Sequence, residues 1–93
     1  MGKMHHIQTT LIRRKRKMIE VLKFSSATCA PCKVLSKTLE GVEGITEVVE
    51  REEFAKYGVR RVPTLVFLKD GEEVQRKSGI ISLTEYEQIL TEI

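Results

Sequence analysis

The sequence predicts a small α/β domain, a central mixed β-sheet flanked by helices. Three observations predict it. The apolar run from Ile19 to Ser25 suits a central strand covered on both faces. The segments after it read strand, helix, strand, helix, hairpin, helix, which is the layout of a sheet between helical layers. The chain has 93 residues, 41% of them hydrophobic and 31% charged, enough for one modest core and too polar for a membrane protein.

Each element has its own local reason. Residues 7–12, Ile-Gln-Thr-Thr-Leu-Ile, are β-prone and are expected at most to add an edge strand, because nothing fixes their register. After the first firm strand, Pro31 is acceptable in the opening turn of a helix, where its missing N–H is no loss. Val34, Leu35 and Leu39 form that helix's apolar stripe, and Gly41 and Gly44 stop it. Ile45 to Val49 reads as a second strand. Glu50-Arg51-Glu52-Glu53 leads into a short helix through Phe54 and Tyr57, with Gly58 as its stop. Thr64–Lys69, the turn pair Asp70-Gly71 and Glu72–Ser78 make a β-hairpin. The last helix opens on the capping box Ser82-Leu83-Thr84-Glu85 and carries Leu83, Tyr86, Leu90 and Ile93 at helical spacing.

Charge divides the chain at residue 18. The net charge is +3, but Lys3 and the run Arg13-Arg14-Lys15-Arg16-Lys17 place six positive and no negative charges in residues 1–18. That leaves ten basic against thirteen acidic residues from 19 to 93, a domain of −3. Residues 1–18 are read as a solvated basic extension or an edge strand, and residues 19–93 as the domain. A nucleic-acid partner is not expected, and His5-His6 has no further ligand nearby to make a metal site. No window of about eighteen apolar residues and no apolar leader occur, so no membrane association is expected and a cytoplasmic monomer is.

The only two cysteines, Cys29 and Cys32, sit where the first strand gives way to the helix. A Cys-x-x-Cys pair alone fits a reversible dithiol, half a zinc site or a soft-metal site. A structural staple is a poor reading, because so short a loop removes little unfolded-state entropy. At a helix N-terminus the unpaired N–H groups and the positive end of the macrodipole stabilise a thiolate, drawing Cys29 below the free thiol value of about 8.5. Cys29 comes first, at the exposed end, and is the candidate nucleophile. Cys32, one turn further in, is shielded and is the candidate resolving thiol. Lys33 adds a positive charge that favours the thiolate.

Taken together, Cys29-Ala30-Pro31-Cys32-Lys33 after an apolar strand, the segment from Lys56 to Leu65 containing Val62-Pro63-Thr64, and Phe67-Leu68-Lys69-Asp70-Gly71-Glu72 closely resemble the thioredoxin family. The resemblance covers about residues 19–92. It implies a thioredoxin-like fold, shortened relative to full-length thioredoxin, and a protein disulfide oxidoreductase with no bound cofactor beyond a redox-active Cys29–Cys32 disulfide. It also implies a cis Pro63 beside the cysteines and a substrate groove formed by Ala30, Pro31, Val62, Pro63 and Gly79. The implied partners are disulfide-containing proteins and an electron donor, either thioredoxin reductase or a glutathione system.

The chain departs from the family pattern at several places. Thr28 stands where tryptophan is usual and Ala30 where glycine is usual, so potential and substrate preference are expected to differ. Lys23 takes the place of a buried family aspartate, so no carboxylate proton relay is expected there. Lys23 is either a desolvated amine that modulates the thiols or a lysine snorkelling to the strand end. Two rivals share parts of the pattern. A glutaredoxin-like, glutathione-using enzyme would use Val62-Pro63-Thr64 equally but lacks its Cys-Pro-Tyr-Cys motif here. A Cu(I)-carrying heavy-metal-associated domain is echoed by Ala27-Thr28-Cys29-Ala30-Pro31-Cys32, with Ala27 in place of the expected methionine.

Overall fold

In the computed structural model, which describes residues 18–93, the hairpin forms with the strand bounds and the turn that the sequence predicts. Four strands and three helices follow in the order β1 (Ile19–Phe24), α1 (Ala30–Thr38), β2 (Ile45–Val48), α2 (Arg51–Tyr57), β3 (Thr64–Lys69), β4 (Glu72–Ser78) and α3 (Leu83–Glu92). The expected edge strand at 7–12, the basic run and the histidine pair lie outside the described residues.

The sheet order is β2-β1-β3-β4, so β1 has a strand on either side, as its largely apolar run suits. It pairs parallel with β2 and antiparallel with β3. Asp70 and Gly71 both take positive φ, 54° and 86°, the backbone that matches a two-residue turn to strand twist. The register shifts between Phe67 and Leu68, because Gln75 and Glu73 are their partners and Val74 is left over as a bulge. Nothing in the alternation predicts that bulge. Met18 leads into β1, its carbonyl accepting the Asp70 N–H at 2.9 Å.

The sheet has a hydrophobic layer on each face. Val21, Leu65 and Phe67 pack with Leu35 and Leu39 of α1 and with Ile81, Tyr86 and Ile89 around α3. On the opposite face Leu22, Phe24, Val66 and Leu68 pack with Val48 and Val59, under Phe54 and Tyr57 of α2. Two expected stripe residues are displaced. Val34 is 50% exposed and Leu83 40% exposed. In α1 the buried face runs Cys32, Leu35, Leu39, so Cys32 rather than Val34 opens the stripe. In α3 Ile89 takes the core place, because Leu83 lies in the first turn, before the helix crosses the sheet.

Both caps of the later helices follow from the sequence. Gly58 ends α2 with φ 65°, a left-handed conformation that a side chain would strain. Ser82 Oγ accepts the Glu85 N–H at 3.1 Å. Only half of the expected capping box forms, since the Glu85 carboxylate instead pairs with Lys77 at 3.2 Å and ties α3 to β4.

Candidate active site

One end of the sheet gathers the residues that carry chemistry. The C-terminal end of β1, the start of β3 and the end of β4 coincide there, because Phe24 pairs with Thr64 and Thr64 with Ser78. From Phe24 the chain passes through buried Ser25 and the exposed residues 26–28 to Cys29, the N-cap of α1, and Val62-Pro63 enters β3 at the same end. Cys29 and Cys32 are joined as a disulfide with their Cα atoms 5.2 Å apart.

The two sulfurs differ in their surroundings. Cys29 has extended backbone and is half-buried, whereas Cys32 is 3% exposed and belongs to the core stripe. Cys29 Sγ accepts the Cys32 N–H at 3.1 Å, one of the orphan amides of the helix start. Ala30, Pro31 and Lys33 are exposed, with Pro31 inside the first turn as its fixed φ requires. No acidic residue occupies the first turn of α1. The helix N-terminus and Lys33 therefore meet no opposing carboxylate within that turn.

The Val62-Pro63 peptide is cis, as the resemblance implies, and Pro63 is buried. Its carbonyl accepts the Gly79 N–H at 2.8 Å, which joins the two expected groove segments directly. Buried Thr64 completes this corner: its hydroxyl donates to the Arg61 carbonyl at 2.8 Å and lies 3.1 Å from Ser78 Oγ. Thr64 was not among the candidate residues, although its place directly after the proline marks it as the residue able to close that loop.

Behind the cysteines Lys23 does not snorkel. It is 8% exposed, and its Nζ donates to Ser36 Oγ on α1. Neighbouring Ser25, also buried, donates to Glu47 Oε2 at 2.6 Å. Ser36 and Glu47 are further residues that sequence reading passed over. The available signal was a serine within the apolar stripe of α1 and a single lysine within an apolar strand, two polar positions that satisfy one another. In the same layer burial raises the Tyr86 phenol above its usual range, keeping it neutral while thiols titrate.

Among the described residues no group of three or more His, Cys, Asp or Glu is placed to hold a metal ion. The pair of thiols with a helix N-terminus is instead suited to forming and breaking its own disulfide. No helix among the described residues is long and apolar enough to cross a membrane.

Comparison with known proteins agrees with this geometry. Residues 7–93 match the family model described as a thioredoxin-like domain, reaching back into the segment read as an extension. The SPbeta prophage-derived thioredoxin-like protein YosR of Bacillus subtilis is 35% identical over 80 residues, covering 81% of this chain and 99% of YosR. Thioredoxin of Chlamydia caviae is 35% identical over 69 residues, covering 64% of this chain and 68% of that protein. In fold, the chain superposes on thioredoxin-2, a component of the malaria parasite protein secretion machinery, with a TM-score of 0.75. That match covers 84% of this chain and 85% of the other at 19% identity.

Proposed function

The chain belongs to the thioredoxin family and is a thioredoxin-like thiol-disulfide oxidoreductase whose redox pair is Cys29 and Cys32; from this premise we propose that it reduces disulfides in protein substrates. The observation that carries the direction of attack is the contrast in exposure between a half-buried Cys29 at the helix N-cap and a buried Cys32. Cys29 is the nucleophile. Its thiolate, favoured by the helix N-terminus, attacks a substrate disulfide, forms a mixed disulfide and releases the first substrate thiolate. Cys32 is the resolving thiol. Its thiolate attacks Cys29 Sγ, the Cys29–Cys32 bond forms, and the second substrate sulfur leaves as the bond to it breaks.

Ala30, Pro31, Val62, Pro63 and Gly79 form the proposed substrate groove. Ala30 and Pro31 are exposed beside Cys29. The Gly79-to-Pro63 hydrogen bond supports the idea that the cis-proline corner is one rigid wall of that groove. Thioredoxin reductase or a glutathione system in the cytoplasm would return the two electrons that each turnover consumes. Residues 1–18 take no part in the proposed chemistry.

Trapping tests the order of attack. Cys32→Ser is expected to accumulate mixed disulfides with a reducible protein substrate through Cys29, because attack survives and resolution does not. Cys29→Ser is expected to accumulate none. Equal trapping by both variants would remove the ordered nucleophile and resolver.

A further inference from the structure

Lys23 is the only charged side chain buried among the described residues. It stands one residue before the end of β1, with Glu47 of β2 and Leu65 of β3 as its register partners. Its ammonium donates to Ser36 Oγ, and Ser36 lies four residues after Cys32 on α1. Residues four apart on a helix share a face, with Cβ atoms about 5–6 Å apart. The buried ammonium therefore meets α1 one turn along the face that carries the buried sulfur of Cys32.

An ammonium has three donors and one charge, and a serine hydroxyl answers only one donor and none of the charge. None of the other described groups forms an ion pair with the ammonium. Glu47, from β2, forms no ion pair with Lys23 and accepts instead from Ser25. Leu65, from β3, is apolar. Tyr86, from α3, belongs to the hydrophobic cluster with Val21 and Leu65, and burial raises its phenol, which favours the neutral form. On α1 itself Lys33 and Lys37 are exposed and of the same sign. A thiolate at Cys32 is the anion that this arrangement can still acquire.

We propose that Lys23 is a positioning residue for the resolving thiol, its buried ammonium favouring the thiolate of Cys32 in the reduced protein and so favouring the dithiol over the disulfide. An opposite charge within about 4–6 Å favours the ionised form, and the interior screens it little. Before resolution Cys32 loses its proton to water. Its thiolate then displaces the substrate sulfur from Cys29, two electrons having passed to the substrate. In this step Lys23 acts by its position and charge and is not the group that takes the proton. The inference rests on Cys32 being the resolving thiol.

The test reads a potential and a titration, which trapping does not. The full chain, Lys23→Met and Lys23→Arg are equilibrated with glutathione redox buffers, and the fraction of disulfide is measured. At a pH above the Cys32 midpoint of both proteins, Lys23→Met is expected to shift the equilibrium about tenfold toward the disulfide, about 30 mV for a two-electron couple. Lys23→Arg keeps the charge and is expected to stay within about twofold of the parent. In a Cys29→Ser background, thiolate absorbance against pH reports Cys32 alone, and Lys23→Met is expected to raise its midpoint by about one unit. An unmoved potential and midpoint in Lys23→Met overturn the inference while leaving the cysteine roles standing. Should Lys23→Met not fold, a Cys32 midpoint above the free thiol value of about 8.5 with Lys23 present overturns it equally, since burial alone would push the thiol that way.

Discussion

The two faces of the sheet are packed differently. The face under α1 and α3 holds one cluster of eight buried hydrophobic residues, drawn from both helices and three segments of the chain around them. The face under α2 holds six, and α2 itself contributes none that is fully buried, only the half-buried Phe54 and Tyr57. Those two rings meet Phe24 edge-on, with centroids 5.0 and 5.7 Å away. The difference shows why the reactive end looks as it does. Cys32 and Lys23, both buried, lie on the α1 face, where a sulfur and a charge can be held in fixed surroundings. The α2 face serves as backing and is held by local ties.

The comparison is tested most strongly by truncating one large side chain on each face. Leu35→Ala removes a fully buried residue of α1, three positions from Cys32, and is expected to cost about 3 kcal/mol, within the range of about 2–5 for such changes. Phe54→Ala on the other face removes a half-buried ring and is expected to cost about 1–2 kcal/mol, below the range for a fully buried Phe. Urea unfolding of both variants gives the two values. Equal losses would mean that the α2 face is as much a core as the α1 face.

A smaller effect isolates the ties of α2. Arg76 of β4 donates from Nη2 to the Tyr57 carbonyl at 2.6 Å, placing a cation at the C-terminal end of α2, where carbonyls are unpaired and the macrodipole is negative. It also pairs with Glu73 through Nε at 2.7 Å. Arg76→Met keeps much of the aliphatic stem and loses both links. It is expected to cost about 1.5 kcal/mol, the low end of the scale of one hydrogen bond to a charged group, since the site is partly exposed. Disulfide reductase rate is expected to stay at the parent value. A rate loss as large as the stability loss would tie α2 to the chemistry and blur the distinction between the faces.

Much of this was legible in the sequence where one local rule had no competitor. Asp70-Gly71 allows few alternatives to a tight hairpin turn, and the strands on either side were bounded correctly. Gly58 and Ser82 likewise announced a helix end and a helix start. The errors arose where a side chain's place depends on a distant partner. Val34 fits a helical stripe, but the phase of α1 is set by where Cys32 meets the sheet. Lys23 stayed open between a desolvated amine and a snorkelling lysine, because Ser36, thirteen residues away, supplies its acceptor only after α1 folds over β1. The Val74 bulge depends on pairing between whole strands, and no property of Val74 itself marks it. At the site, the cysteines and the cis proline were legible as motifs, whereas the Thr64, Ser78 and Gly79 bonds that hold the proline corner depend on β3 and β4 being side by side.

The smallest expected effect separates the ion pair of Arg76 from its bond to α2. Glu73 and Arg76 are side chains about one third exposed, and each holds the other's charge: the hydrogen bond to Arg76 keeps the Glu73 carboxyl below its usual range against a small cost of burial, and Arg76 is raised in turn. A carboxyl whose folded value is depressed contributes stability above its unfolded value and loses it as pH falls through the depressed folded one. Glu73→Gln is therefore expected to cost about 0.5 kcal/mol at neutral pH, the scale of an exposed pair, and nothing once the medium is acid enough to protonate Glu73 in the folded protein. Added salt at neutral pH should shrink the difference, since solvent-exposed charges are screened. Arg76→Met should retain most of its larger cost under both treatments, because its bond to the Tyr57 carbonyl needs no carboxylate. Denaturant melts of the parent and both variants, at neutral and acid pH and at two salt concentrations, decide the matter. If the two variants lose stability in parallel across all four conditions, the Glu73 pair rather than the carbonyl of α2 is what Arg76 contributes, and the backing face is held by charge alone.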